Sequence, residues 1–410
     1  MTIRLANWGQ EFIQFQGCAK VTQVPQIANQ KDRSCSFSVT HTTGAGGPRA
    51  GFLVTPHGSL ETPCFLPVAS HGDLRTISFE DAAECGTRII MANGWHVYRR
   101  FGEETLQNAG GVHRLLNWGG AVFTDSGGYQ VFSLRETATV TDEGVAFRSL
   151  TGDDVELLRP EDVVEIQKQI GSDIMTALDE CPPYPCSKTR ARSAMRRTNL
   201  WARRSMNAFR SMPSYYAHGQ DLWGIVQGGV YEDLRKISVE ELVQLDFGGY
   251  GIGGLSIGMP RTATREMTKL VCDLLPSDKP RHLLGTGLPC DILEGIEDGV
   301  DTFDCVLPLR KAERGVAYTR SGEVRYKDSP HTDVASMPLD SECSCQTCKQ
   351  YSREELRHLY RTDKARASHL AAIHNLYFYH DMLAGARKAI RENRFSAYKE
   401  AFFSKWFASE

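Results

Sequence analysis

The chain has 410 residues, a length that one α/β barrel with an insertion can fill, and its 47 Lys and Arg against 50 Asp and Glu leave a formal charge of -3. That balance excludes a generally basic nucleic-acid binder, so a polyanionic partner has to be met locally. No run of 18 apolar residues exists and residues 1–30 lack a basic stretch ahead of an apolar core, which argues against a membrane span or secretory signal and for the cytoplasm, while 12 scattered Cys with one tight cluster suit reduced thiols plus a metal site.

Residues 1–45 carry no motif and are set apart as an N-terminal extension. GFLVTPHGSLETP (51–63) reads as an opening hairpin. Eight short apolar runs follow: CFLPVAS (64–70), RIIMAN (88–93), AVFTDS (121–126), DIMTALDE (173–180), LWGIVQGG (222–229), YGIGGLS (250–256), HLLGTG (282–287) and TFDCVLP (302–308). Between most of them lie helical patterns such as PEDVVEIQKQIG (160–171), with acids in its first turn and Gly at its end. Near-continuous apolar strands alternating with helices imply a parallel sheet covered on both faces, and eight such units imply a (β/α)8 TIM barrel, here expected over 46–334 and 376–410. Asp125, Asp179, Gln227, Gly254 and Asp304 all fall at or near carboxyl ends of these strands, the rim where barrel enzymes build their sites. Asp304 is the most pointed case, because an acid in a buried strand costs several kcal/mol unless it is partnered.

Further along, CSCQTC (343–348) places Cys343, Cys345 and Cys348 on one tight turn, and His374 follows in AAIHNLYFYH. These four form the favoured tetrahedral set, with His358 and His369 as competitors for the fourth place. Four protein ligands leave no open position, so one structural zinc per chain is expected to hold a zinc-binding subdomain, 335–375, against the barrel. KTRARSAMRRTNLWARRSMNAFR (188–210) carries eight basic residues and no acid after the strand of Asp179, and is a candidate polyanion surface.

FTDSGGYQVFSL (123–134), DECP (179–182), GIVQGG (224–229), GIGGLSIG (251–258), GVDTFDCVLP (299–308) and CSCQTC with His374-Asn375 together resemble the tRNA-guanine transglycosylase family, in order, from about residue 50 to about 378. The resemblance implies a zinc-containing (β/α)8 enzyme, a homodimer in its relatives, that exchanges the wobble guanine of G-U-N anticodons in tRNA for a 7-deazaguanine base. By the same resemblance Asp304 is the nucleophile that captures C1′ as a covalent ester, and Asp125 is the acid/base that takes the N9 proton of the incoming base. Asp125 and Asp179 would accept from the guanine edge, Gln227 and the Gly254 N–H would donate to O6, Tyr129 would stack on the ring, and Ser126, Gln130 and Leu255 would line the pocket. Arg310 matches a family position near the anticodon, with Arg314 close by.

Several positions depart from the family pattern. Pro308-Leu309-Arg310 replaces Pro-Thr-Arg, Glu313 stands where another Arg is usual, PVASHG (67–72) and NGWHV (93–97) differ, and Met259 occupies a place where bacterial members often have Glu. PreQ1 is the default inserted base and queuine the alternative, since Met259 cannot accept a hydrogen bond. A non-catalytic partner subunit would lack Asp304 or Asp125, and both are present. A barrel metallohydrolase would need a His-x-His pair on its first strand, where only His71 stands. A related enzyme acting on DNA remains a further reading.

Overall fold

The computed structural model describes residues 35–44, 46–128, 138–148, 155–256, 258–328 and 336–408. Strands β1 (Ser36–Thr42), β2 (Arg49–Thr55) and β3 (Gly58–Thr62) form an antiparallel sheet in the order β1-β2-β3. The hairpin expected at 51–63 is β2 and β3, and β1, within the stretch set apart as an extension, pairs with β2 from Ser36↔Val54 onward.

The barrel follows. Its strands are β4 (Cys64–Ala69), β5 (Ile89–Asn93) and β6 (Ala121–Asp125), then, after a small sheet of β7 (Ala138–Val140), β8 (Val145–Arg148) and β9 (Val155–Leu158), β10 (Ile174–Thr176), β11 (Asp221–Val226), β12 (Gly249–Ile252), β13 (Arg281–Leu283) and β14 (Thr302–Cys305). The order β10-β11-β12-β13-β14-β4-β5-β6 closes on itself, and β14 meets β4 in parallel from Thr302↔Cys64 to Cys305↔Pro67. All eight apolar runs named above are barrel strands. The reason is physical: strands buried on both faces must be apolar throughout, and Ile89 to Asn93 are all buried.

Helices between the strands cover the barrel. Pro160–Ile170 starts with Pro at its first turn, Glu161 and Asp162 against the helix dipole, and ends at Gly171 in the left-handed region. Lys188–Ser211 is capped by Ser187, whose hydroxyl accepts from the Arg190 N–H. Near the C-terminus the helix Lys364–Arg391 runs straight across the boundary expected at residue 375, so His374 and the barrel-covering residues Tyr379, Leu383 and Ile390 share one helix.

Candidate active site

Five chain segments deliver polar groups to the carboxyl rim of the barrel. Asp125 closes β6, Gln227 follows β11 directly, Gly254 lies two residues past β12, Asp179 three past β10, and Asp304 sits one residue from the end of β14.

The partner that Asp304 requires is present. Its Oδ1 accepts from the Gly285 N–H at 2.8 Å and from His282 Nε2 at 3.1 Å. A carboxylate only accepts, so Nε2 carries the proton, and Nδ1 of the same ring then accepts from the Thr302 hydroxyl at 2.9 Å. Oδ2 has no hydrogen-bond partner among the described residues. One oxygen is therefore fixed and the other is left for the pocket, with the side chain 14% exposed. His282 was not singled out from the sequence, where it merely opens HLLGTG; the signal would have been its place two residues into a strand neighbouring that of Asp304.

Asp125 is held by the Asn93 amide at 2.7 Å and the Gly127 N–H at 2.9 Å, both on Oδ1. Burial nevertheless pushes its carboxyl up to about 7, with the negative fields of Asp304 and Asp179 adding to the rise. Asp179 is also raised by burial, to about 6, although the Gln227 amide donates to its Oδ2 at 2.7 Å. Two carboxyls near neutrality in one pocket can hold or release protons at working pH.

Glycine makes this crowding possible. A Cβ on Gly128 would lie 2.1 Å from Asp179 Oδ1, and one on Gly254, at φ +73°, would lie 2.5 Å from Gln227 Oε1. That Gln227 oxygen is buried without a partner among the described residues, an orphan that a bound hydrogen-bond donor would satisfy. Below it, the fully buried Arg235 donates to the carbonyls of Val226, Gly229 and Gly253, each at 2.9 Å, and so ties the ends of β11 and β12 together. Arg235 was also missed, since in YEDLRKISVEELVQL it reads as one more cation on an amphipathic helix.

Ser126 and Leu255 are buried beside Asp125 and Gly254 respectively. Tyr129 and Gln130 lie outside the described residues. Arg310 and Arg314 are exposed at the helix Leu307–Glu313 and just past it, without an ion pair among the described residues.

The basic stretch 188–210 forms ion pairs with acids that flank it in the fold. Arg190 and Arg197 pair with Glu180, Lys188 and Arg192 with Asp233, and Arg204 with Glu161. Five of its eight cations thus pair with acids outside the stretch, which offsets part of its positive charge. The departures also find structural reasons. Leu309 is fully buried in the core, and Glu313 accepts two hydrogen bonds from Arg75, at 2.8 and 2.9 Å. His71 of PVASHG and His96 of NGWHV meet each other, with ring centroids 4.5 Å apart, so the two unusual segments are in contact.

Away from the rim, Cys343, Cys345, Cys348 and His374 converge. Their Sγ atoms lie 3.6, 3.5 and 3.2 Å from His374 Nδ1. His374 Nε2 donates to the Tyr318 carbonyl at 2.7 Å, which fixes the tautomer with the Nδ1 lone pair facing the sulfurs. A tetrahedral ion with bonds of ~2.3 Å to sulfur and ~2.05 Å to nitrogen has S···N edges of ~3.5 Å, so the group fits a metal of that size. His369 bonds instead to the Thr76 carbonyl, 2.9 Å away, and is no ligand here.

The sequence model of one protein family, described as Queuine tRNA-ribosyltransferase, matches residues 44–408. The chain belongs to this family. A queuine tRNA-ribosyltransferase of Thermoanaerobacter pseudethanolicus is 44% identical over 358 residues, 87% of this chain and 94% of its own. Those of Desulforudis audaxviator and Geobacillus kaustophilus are 45% and 42% identical, each over 90% of this chain and over 97% and 95% of their own. The family is one of transferases, and the barrel and the Cys3His group agree with the resemblance drawn from the motifs. Among the described residues no helix is long and apolar enough to cross a membrane.

Proposed function

We propose that this queuine tRNA-ribosyltransferase family member exchanges the wobble guanine of tRNAs with G-U-N anticodons for a 7-deazaguanine base, through a covalent ribosyl ester on Asp304. The observation that carries the reading is the contrast between two acids on one rim. Asp304 has one oxygen anchored by Gly285 and His282 and the other unengaged, and Asp125 is a buried carboxyl that changes protonation near neutrality.

In this mechanism Asp304 Oδ2 attacks C1′ as the C1′–N9 bond breaks, and guanine leaves with a proton returned to N9. Asp125, titrating near the working pH, gives that proton and takes the equivalent one from N9 of the incoming base. The incoming N9 then displaces Asp304 from the opposite face, so two inversions give net retention. Asp179 and Asp125 accept from the base edge, Gln227 and the Gly254 N–H donate to O6, and Tyr129, Ser126, Gln130 and Leu255 complete the pocket. Arg310 and Arg314 would meet anticodon phosphates, which keeps the electrostatic contact local in a chain of net charge -3. Cys343, Cys345, Cys348 and His374 would hold one zinc that folds residues 335–375 onto the barrel and takes no part in the chemistry. The domain limits of the sequence reading and a cytoplasmic homodimer belong to the same proposal.

Exchange of radiolabelled guanine out of a tRNA with a G-U-N anticodon tests the activity. Label should leave that tRNA and stay in one whose wobble base is changed; retention in both refutes it.

PreQ1 is the default incoming base, and one observation favours queuine as a second substrate. The Leu255 carbonyl already accepts from the Thr264 hydroxyl at 2.9 Å, and Met259, packed against the core, lines the same cavity as Leu255. A carbonyl so engaged has one lone pair left for a primary ammonium, and an apolar wall tolerates a larger group. Met259→Glu should shift preference towards preQ1 by about 1–2 kcal/mol, the worth of one charge-linked hydrogen bond. Parallel kcat/KM values for both bases on one tRNA decide it, and an unchanged ratio removes this position from the choice.

A further inference from the structure

On the opposite face of the barrel, three histidines from distant parts of the chain gather around the amino ends of the strands. His57 lies in the turn between β2 and β3, His113 on the short helix Val112–Leu116, and His218 in the loop before β11. One ring nitrogen from each falls within 4.8 Å of the others.

Each ring makes one hydrogen bond to a group that can only accept. His57 Nδ1 and His113 Nε2 donate to the two oxygens of Asp173, at 2.7 and 2.9 Å, and His218 Nε2 donates to the Gly171 carbonyl at 3.0 Å. Asp173 is fully buried, and its Oδ2 also accepts from the Val122 N–H at 2.8 Å, so it is held in place independently of the rings. In the neutral imidazoles these bonds leave His57 Nε2, His113 Nδ1 and His218 Nδ1 as lone-pair nitrogens. Metal-ligating histidines usually show this pattern, in which a carboxylate or carbonyl takes the far N–H and makes the near nitrogen a better ligand.

We propose that His57, His113 and His218 form a second metal site, for a borderline divalent transition ion such as zinc, cobalt or nickel. Neutral imidazoles suit those ions, and three ligands leave a fourth position for water. The histidines border a cavity of about 360 Å³ that also reaches Arg114 and Tyr216, which gives that fourth ligand room. His57 and His113 lie nearly face to face, with ring centroids 3.5 Å apart and 13° between planes. Engaging both on one ion therefore requires a ring to turn about its Cβ–Cγ bond, and His57, 26% exposed against 7% for His113, is the one with room to do so. Ligation would clip the β2–β3 turn to the loop before β11 across the barrel floor.

Cobalt(II) separates this site from the cysteine-rich one, because only thiolates give sulfur-to-metal charge-transfer absorption. The full-length protein is treated with a mild chelator, so that metal held by the four-ligand site stays, and is then titrated with cobalt(II) in equilibrium dialysis. One further equivalent per chain without charge-transfer absorption is expected. His218→Ala and His57→Ala should each weaken that equivalent at least about tenfold while leaving the tightly held metal in place. They should also abolish the rise in Tm that cobalt gives the parent protein. Binding of no further equivalent at millimolar cobalt, or an equivalent that survives both substitutions, overturns the proposal.

Discussion

Replacing Asp125 by Asn separates two consequences of burying this acid, and they carry opposite signs. Burial lifts the carboxyl from its ordinary 3.8 to about 7. Each tenfold change in proton affinity is worth about 1.4 kcal/mol, so the full displacement amounts to about 4 kcal/mol of destabilisation once the group is ionised. Asp125 opens onto the pocket, where water screens part of the charge, and about 2 kcal/mol is the working figure. The direction follows from linkage: between pH 4 and 7 the folded state keeps a proton that the unfolded chain has released, so stability falls as pH rises through this window and is level above it. Asn keeps an oxygen to accept from Asn93 and Gly127 but never ionises. Urea unfolding at pH 5 and pH 8 should therefore find Asp125→Asn more stable than the parent by about 2 kcal/mol at pH 8, or about 2–3 °C in Tm, with a smaller gap at pH 5. Turnover should meanwhile fall about 10²–10⁴-fold with the loss of proton transfer. A variant less stable than the parent at pH 8, a gap that ignores pH, or near-normal turnover would each refute this reasoning.

Cys345→Ser should lose the tightly bound metal and open residues 336–375 to proteolysis, since structural zinc affinity is largely folding free energy; elemental analysis checks it, and a full metal complement in the variant contradicts it. Arg310→Ala should weaken tRNA binding and reduce the log–log salt slope by about 1, the signature of one phosphate contact. An unchanged slope would place Arg310 away from the anticodon.

The barrel was legible because strands buried on both faces are apolar without alternation, and the runs from Cys64 to Cys305 keep that pattern. The acids were legible for the same reason, since Asp304 stands out against Thr302, Phe303 and Cys305. What supports the acids was not. His282 and Asn93 act through bonds to Asp304 and Asp125 across neighbouring strands, and nothing local marks either as a clamp. The pairing of the basic stretch was not legible either, because its partners Glu180, Glu161 and Asp233 lie outside it and a sum of charge along the helix leaves them out. The short sheet of β7, β8 and β9 joins the same class, being too brief for periodicity to register.

The covalent role of Asp304 is tested most directly by trapping the ribosyl ester. Enzyme mixed with a G-U-N tRNA and quenched in denaturant before an incoming base is added should yield a tRNA–protein adduct, mapped by mass spectrometry to the peptide containing Asp304. Asp304→Asn, which keeps the shape and the anchoring bond from Gly285 but loses the anionic oxygen, should bind the same tRNA and give no adduct. An adduct formed by that variant, or guanine exchange at the parent rate without one, would contradict the assignment.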